Sequence, residues 1–143
     1  MDRTTERAVE WDCSQLMLRF YDAFDAWDYA GMAALFAPDG VWQRAGKTLA
    51  GREAIVAELQ QRPTTQVVRH VLSNLLVTAA NADQAQARFY ITVYRHDGGT
   101  ARSIPAPLQA PAMLLVVNAR LVRHSEGWRI LHQAMAREFE ARP

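Results

Sequence analysis

The stretch QAQARFYITVYR (Gln84–Arg95) alternates apolar and polar residues without a break. Successive side chains of an extended strand point to opposite faces, so a period of two predicts a strand with one face in the core. The apolar face of this strand carries Ala85, Ala87, Phe89, Ile91 and Val93, and the other face carries Gln86, Arg88, Tyr90, Thr92 and Tyr94. We therefore expect a sheet in the second half of the chain.

Three more strands are predicted around this stretch. Val67–Thr78 is rich in leucine and β-branched residues, and Asn81-Ala82-Asp83 can turn the chain between it and the alternating stretch. Ala112–His124 and Trp128–Arg137 form a second pair, joined by Ser125-Glu126-Gly127. Strands that follow one another with short turns predict an antiparallel meander.

The first half of the chain has the period of a helix instead. Apolar residues recur there at steps of three or four, namely Val9, Cys13, Leu16, Met17, Phe20, Phe24 and Trp27. Asp28 is a typical N-cap for a second, short helix over Ala30–Phe36. A third helix is predicted over Arg52–Gln61, directly after Gly51.

Between the second and third helices the sequence predicts a turn at Ala37–Gly40 and a short strand at Val41–Arg44. Helices followed by a meander of strands predict an α+β fold, with three N-terminal helices packed on one face of a strongly curved, mainly antiparallel sheet. A chain of 143 residues can bury about two-thirds of its unfolded surface, which suits one core. We expect one domain over 1–143, with tails at roughly 1–6 and 138–143.

Charge and cysteine content narrow the classes of partner. The 16 basic and 15 acidic residues nearly cancel, so no field favours nucleic acid or an anionic membrane. Charged residues interrupt every apolar run, and the start MDRTTERAVEWD is too charged for a signal peptide. Cys13 is the single cysteine, which suits a reducing compartment. We expect a cytoplasmic protein whose partner is a small, neutral, apolar molecule.

Several motifs resemble a known family. They are Phe24-Asp25 followed by Asp28, the run ALFAPDGV (Ala34–Val41), GREAI (Gly51–Ile55), RHVLSN (Arg69–Asn74) and GWRI (Gly127–Ile130). Together they are similar to SnoaL-like domains of the superfamily named after nuclear transport factor two, which also contains scytalone dehydratase and ketosteroid isomerase. The resemblance extends from about Glu6 to Met135. It implies a cone-shaped α+β barrel around a mostly apolar pocket, and a homodimer formed through the outer face of the sheet.

Asp25 and His70 are the candidate catalytic residues. On a helical wheel Asp25 lies at the flank of the apolar stripe, where periodicity alone also allows a solvated side chain. His70 lies mid-strand, where a core histidine is the alternative. The resemblance implies that both face the pocket and act as an acid/base pair, because an imidazole can accept and donate a proton near neutral pH.

Eight further residues are expected to contact the ligand. They are Asn74, Tyr21, Phe20, Phe24, Trp42, Tyr90, Tyr94 and Asn118. Asn74 is placed on the same strand face as His70 by a period of two, where its amide could orient a substrate carbonyl or the imidazole.

The chain departs from the related enzymes at several positions. Phe20 stands where many dehydratase-like members have a tyrosine, and Tyr21 beside it points about 100° away on the helix. The base of ketosteroid isomerase falls near Arg44 and its acidic oxyanion donor near Val117, so that mechanism is not expected. The stretch Met113–Val117 is apolar where scytalone dehydratase has its second pocket histidine.

The resemblance implies a dehydratase, isomerase or cyclase that acts on an apolar carbonyl compound of aromatic or polyketide-like type. No metal or other cofactor is expected, since the four histidines lack metal-ligand spacing and the chain lacks nucleotide-binding motifs. The alternative is a non-catalytic binding domain, or a structural partner like the β subunits of ring-hydroxylating dioxygenases. The segments RHVLSNLLV, ARFYITVYR and GWRILHQ also resemble those subunits.

Overall fold

The computed structural model describes residues 1–142, which form three helices and six strands. The helices are α1 (Arg3–Asp25), α2 (Tyr29–Ala34) and α3 (Arg52–Leu59). The strands are β1 (Phe36–Arg44), β2 (Lys47–Ala50), β3 (Gln66–Ala79), β4 (Gln84–Asp97), β5 (Met113–His124) and β6 (Gly127–Glu140). The predicted α+β fold, with helices on a curved, mostly antiparallel sheet, is confirmed.

The sheet has the order β2-β1-β6-β5-β4-β3. Neighbouring strands are antiparallel except for β1 and β6, which run parallel. The alternation that predicted β4 is confirmed, because Ala85, Ala87, Phe89, Ile91 and Val93 are all buried. The inner face of the sheet packs against α1, whose apolar stripe from Val9 to Phe24 is buried.

Capping residues set where the first two helices begin. A side-chain oxygen of Asp2 accepts a hydrogen bond from the Thr5 backbone N–H at 2.7 Å, so α1 starts at Arg3. Asp28 accepts one from the Gly31 N–H at 2.9 Å, which confirms the predicted N-cap of α2. No helix within residues 1–142 is long and apolar enough to cross a membrane.

The first part of the sheet differs from the prediction. The turn expected at Ala37–Gly40 lies inside β1, whose register with β6 shifts between Phe36 and Val41. This irregularity accommodates Pro38, which cannot donate a ladder hydrogen bond. A Cβ on Gly40 would lie 2.9 Å from the carbonyl oxygens of Ala37 and Ile130, so glycine fits this close approach.

Strand β2 and the lengths of the tails also differ from the prediction. β2 pairs with β1 through the two-residue loop Ala45-Gly46, in which both residues have positive φ. The expected tails are shorter than predicted, because Arg3–Glu6 belong to α1 and Glu138–Glu140 belong to β6.

Candidate active site

A cavity of about 500 Å³ opens beside the C-terminal end of α1, and residues of β1 and β3–β6 line it. This volume is typical of small-molecule binding sites. Its apolar walls include Phe24, Val68, Val93, Met113, Leu115 and Met135. Its polar lining is basic and includes His70, Arg44, Arg62, Arg95 and Arg137.

His70 lines this cavity and is hydrogen-bonded to Asp25, which, contrary to what the family resemblance implied, is not itself among the lining residues. Oδ1 of Asp25 lies 2.6 Å from Nδ1 of His70, and Oδ2 accepts a hydrogen bond from the His70 backbone N–H at 3.1 Å. The side chains are only 17% and 8% exposed, respectively, so water screens the pair weakly. Because an ionised carboxylate only accepts hydrogen bonds, the neutral imidazole carries its proton on Nδ1 and has its lone pair on Nε2.

The ring of Phe24 stacks on the face of the same imidazole. The two ring centroids are 4.3 Å apart and the ring planes differ by 25°. Phe24 and Asp25 are consecutive residues of α1, so the end of one helix both stacks on His70 and hydrogen-bonds to it. The imidazole is thereby held in one orientation, as a base in a positioned reaction requires.

Two arginines lie close to the ring of Phe24. The guanidinium carbon of Arg62 is 4.5 Å from the ring centroid and that of Arg44 is 5.5 Å from it, distances typical of cation–π contacts. Arg62 also donates a hydrogen bond to the Tyr29 hydroxyl at 2.9 Å. Burial, and then the charge of Arg62, lower the pKa of the Arg44 guanidinium.

The other predicted ligand contacts on α1 and β1 lie in the core beneath the cavity. Phe20 and Trp42 are fully buried and pack edge to face, with ring centroids 5.3 Å apart. The hydroxyl of Tyr21 donates to Oε1 of buried Gln133 at 2.7 Å, and burial raises the pKa of Tyr21. Of the four predicted contacts on these two elements, Phe24 alone lines the cavity.

The prediction that Asn74 shares a strand face with His70 is wrong. The pairing of β3 with β4 shifts register between Ser73 and Leu76, and Asn74 there has a φ of +54° and an exposed side chain. This bulge adds a residue and reverses the inward phase of β3. The inward positions are consequently even-numbered up to Leu72 and odd-numbered from Leu75 onward.

The predicted contacts on β4 and β5 lie on the outer face of the sheet. Tyr90 and Tyr94 alternate with the buried residues of β4, and Asn118 is exposed on β5. None of these three residues lines the cavity beside His70. Their strand positions have the opposite phase to the inward residues. The homodimer expected through this outer face stays a prediction.

The arginines of the cavity were not predicted as site residues. Arg62 lies between α3 and β3, Arg95 on β4 and Arg137 on β6, so no local spacing connects them. The sequence singles out Arg44 only as the residue near the place of the base in ketosteroid isomerase. The sequence offered no clear signal, since Asp97 lies only two positions from Arg95 and Asp39 five positions from Arg44.

The grouped side chains can hold and move a proton. An imidazole held by a carboxylate can accept a proton on its other nitrogen, and guanidinium groups favour negative charge that develops nearby. Within residues 1–142, the His, Cys, Asp and Glu side chains form no group of three that could hold a metal ion.

Comparison with known families places this site in context. The profile of the SnoaL-like domain matches residues 5–133, which is nearly the whole chain. The family resemblance predicted from the sequence motifs is thus confirmed. No curated protein sequence matches the chain significantly.

Solved structures share the fold. An NTF2-like protein with a cystatin-like fold from Novosphingobium aromaticivorans is 23% identical, with a TM-score of 0.74 and coverage of 91% of this chain and 82% of that one. A candidate scytalone dehydratase from the same organism is 15% identical, with a TM-score of 0.75 and coverage of 91% and 84%. A protein from Catenulispora acidiphila, solved in complex with S-DNPA, is 25% identical, with a TM-score of 0.71 and coverage of 89% and 91%.

Proposed function

The chain belongs to the SnoaL-like family, and we propose that it is a cofactor-independent enzyme that transfers a proton on a carbonyl compound, as a dehydratase, isomerase or cyclase. The observation that carries this proposal is the 2.6 Å hydrogen bond from Asp25 to His70, which lines a cavity of small-molecule size. The solved structures that share this fold include a candidate scytalone dehydratase and a protein in complex with S-DNPA, and both support the proposal.

The chemistry follows from the state of the imidazole. Nε2 of His70 removes a proton from the carbon next to the substrate carbonyl, and the electron pair of the broken C–H bond moves into an enolate. The carboxylate of Asp25 stabilises the imidazolium that forms. In a dehydration, the imidazolium returns the proton to the leaving hydroxyl while the enolate collapses, so a C=C bond forms and water departs. In an isomerisation, the proton returns to another carbon.

The test uses a panel of β-hydroxy carbonyl compounds in D₂O, followed by proton NMR. We expect wild-type protein to release water from a panel member or to exchange its acidic C–H proton for deuterium. His70→Ala should lower that rate by about a hundredfold or more, on the scale of general acid/base catalysis. His124→Ala is the matched control, because His124 is exposed at the end of β5. Unchanged turnover in His70→Ala would contradict the proposal.

A non-catalytic binding domain is the second candidate. It is favoured by Met113 and Leu115, which line the cavity where a related enzyme has its second histidine, and by Phe20 in the place of a tyrosine. This candidate predicts ligand binding that survives in His70→Ala without any turnover in the wild type. The NMR panel separates the two functions, since only an enzyme exchanges or eliminates.

A further inference from the structure

The polar lining of the cavity carries an excess of positive charge. Arg44, Arg62, Arg95 and Arg137 line it together with His70. Arg137 has an exposed partner in Glu140, at 2.9 Å. Within residues 1–142, no carboxylate oxygen lies within 4.0 Å of the guanidinium groups of Arg44, Arg62 or Arg95.

Arg44 and Arg62 are the most strongly constrained of the four. Both are partly buried, and both guanidinium groups lie against the ring of Phe24. An arginine keeps its charge in a protein, so two like charges lie against one ring in a partly desolvated wall, close enough for the charge of Arg62 to lower the pKa of Arg44. Glu58, the carboxylate whose charge opposes the fall in the pKa of Arg44, is already paired with Lys47 at 2.9 Å.

Such a pair is costly unless an anion joins it. Buried charges are normally paired, and guanidinium groups bind oxyanions through paired, charge-assisted hydrogen bonds. Aromatic rings compensate the two cations only in part. Besides Phe24, Arg44 faces Trp42 at 5.2 Å and Arg62 faces Trp27 at 4.7 Å and Tyr29 at 5.7 Å, but a ring carries no net negative charge. The missing counter-charge points to the ligand.

We propose that the cavity takes an organic anion, with its oxyanion group on Arg44 and Arg62 and its apolar body against Val68, Leu115 and Met135. Carboxylates and phosphate monoesters share this chemistry. The assignment of this anion as the substrate of His70 rests on the proposed function, whereas the binding site itself does not. The anion replaces the neutral, apolar ligand that the overall charge of the chain had suggested.

Isothermal titration calorimetry with three matched probes tests this proposal. 2-Naphthoate carries a carboxylate, 2-naphthyl phosphate a phosphate monoester and 2-naphthamide a neutral head on the same apolar body. We expect at least one anionic probe to bind about tenfold or more tightly than the amide, since hydrogen bonds to a charged group are stronger than those to a neutral one. The stronger of the two anions identifies the headgroup. Equal affinities for all three probes, or tighter binding of the amide, would overturn the proposal.

Variants locate the site. Arg44→Gln and Arg62→Gln should each weaken binding of the preferred anion by about tenfold and leave the amide unchanged. Arg44→Lys, which keeps the charge in case the glutamine variant does not fold, should retain part of the preference. Arg120→Gln, on the exposed face of β5, is the control and should bind as the wild type does. An anion preference that survives in the folded Arg44 and Arg62 variants contradicts the assignment.

The outcome is separable from that of the proposed function. His70→Ala removes the base but neither guanidinium, so it should keep the preference for the anion. Anion binding that depends on Arg44 and Arg62, in a protein that turns over no panel compound, would leave this inference standing and reject the enzyme. Turnover of neutral compounds without any anion preference would support the enzyme and reject this inference.

Discussion

Asp25 binds His70 with both of its carboxylate oxygens, one on the imidazole Nδ1 and the other on the backbone N–H. Asp25 is the last residue of α1, where the helix dipole disfavours a negative charge. Its position at a helix C-terminus is therefore better explained by its partner on β3 than by the helix. The double contact fixes the strand and the ring relative to the helix end at once.

Asp25→Asn tests this positioning role. An amide cannot accept at both of its terminal atoms, so the variant loses one of the two contacts or leaves the Nδ1–H without an acceptor. We expect kcat to fall by about tenfold to a hundredfold with little change in KM. ¹⁵N NMR of His70 should show Nδ1–H as the main neutral tautomer in the wild type and a mixture in the variant.

Asp22→Asn is the matched control for that experiment, because Asp22 lies one turn earlier on α1 and is exposed. It should leave both the tautomer and kcat as in the wild type. An Asp25→Asn protein with an unaltered tautomer and unaltered kcat would show that Asp25 has only a structural role.

Leucine variants of Phe24 and Phe20 distinguish a ring that supports the site from a ring that only packs in the core. Both rings are buried, but only Phe24 contacts His70, Arg44 and Arg62. Leucine at either position should lower the free energy of unfolding by about 1–3 kcal/mol in urea titrations. Only Phe24→Leu should also lower kcat/KM, by about tenfold, because the imidazole of His70 loses the ring that stacks on it. Equal loss of kcat/KM in both variants would argue against a specific role for Phe24.

Local patterns predicted those parts of the fold that depend on local interactions. The alternation in β4 and the apolar stripe of α1 each report one face of one element. Asp28 caps α2 through the N–H of Gly31, three residues away, so its role too was visible in the sequence. The bulge at Asn74 reverses the phase of half a strand, and period-two counting across it consequently placed Asn74 on the wrong face.

The candidate site depends on contacts between distant parts of the chain. Asp25 and His70 are 45 positions apart, and only family resemblance connected them. The basic wall combines side chains from β1, β4, β6 and the segment after α3, which no single spacing can reveal. Net charge cannot reveal this wall for the same reason, because a value of +1 averages over the whole chain and says nothing about one cavity.

The buried Cys13 thiol and Tyr21 hydroxyl predict that the folded protein loses stability at alkaline pH. Burial raises the pKa of the Cys13 thiol from its usual 9.0 to about 12, and it also raises the pKa of Tyr21. The unfolded chain therefore releases these protons first as the pH rises above about 9, which favours unfolding. The free energy of unfolding should fall steadily between pH 9 and pH 11.

Urea titrations at pH 8, 9, 10 and 11 measure this fall. Cys13→Ala removes one of the two groups, so its stability should decrease less steeply with pH than that of the wild type. In the folded wild type at pH 8, iodoacetamide should not modify the buried thiol. Identical pH slopes for the variant and the wild type would mean that Cys13 does not contribute.

Substitutions of Asn74 test the cost of its positive φ without changing the candidate active site. Its φ of +54° is accessible to asparagine and glycine, but costs a β-branched residue about 1–2 kcal/mol. Asn74→Gly should therefore keep the free energy of unfolding close to the wild-type value, whereas Asn74→Val should lower it by about that amount. The neighbouring Ser73→Val is the control, since Ser73 pairs with Tyr90 in the regular ladder. Because the Asn74 side chain is exposed and outside the cavity, kcat/KM of Asn74→Gly should stay within about twofold of wild type. A larger loss would indicate that Asn74 contacts the ligand after all.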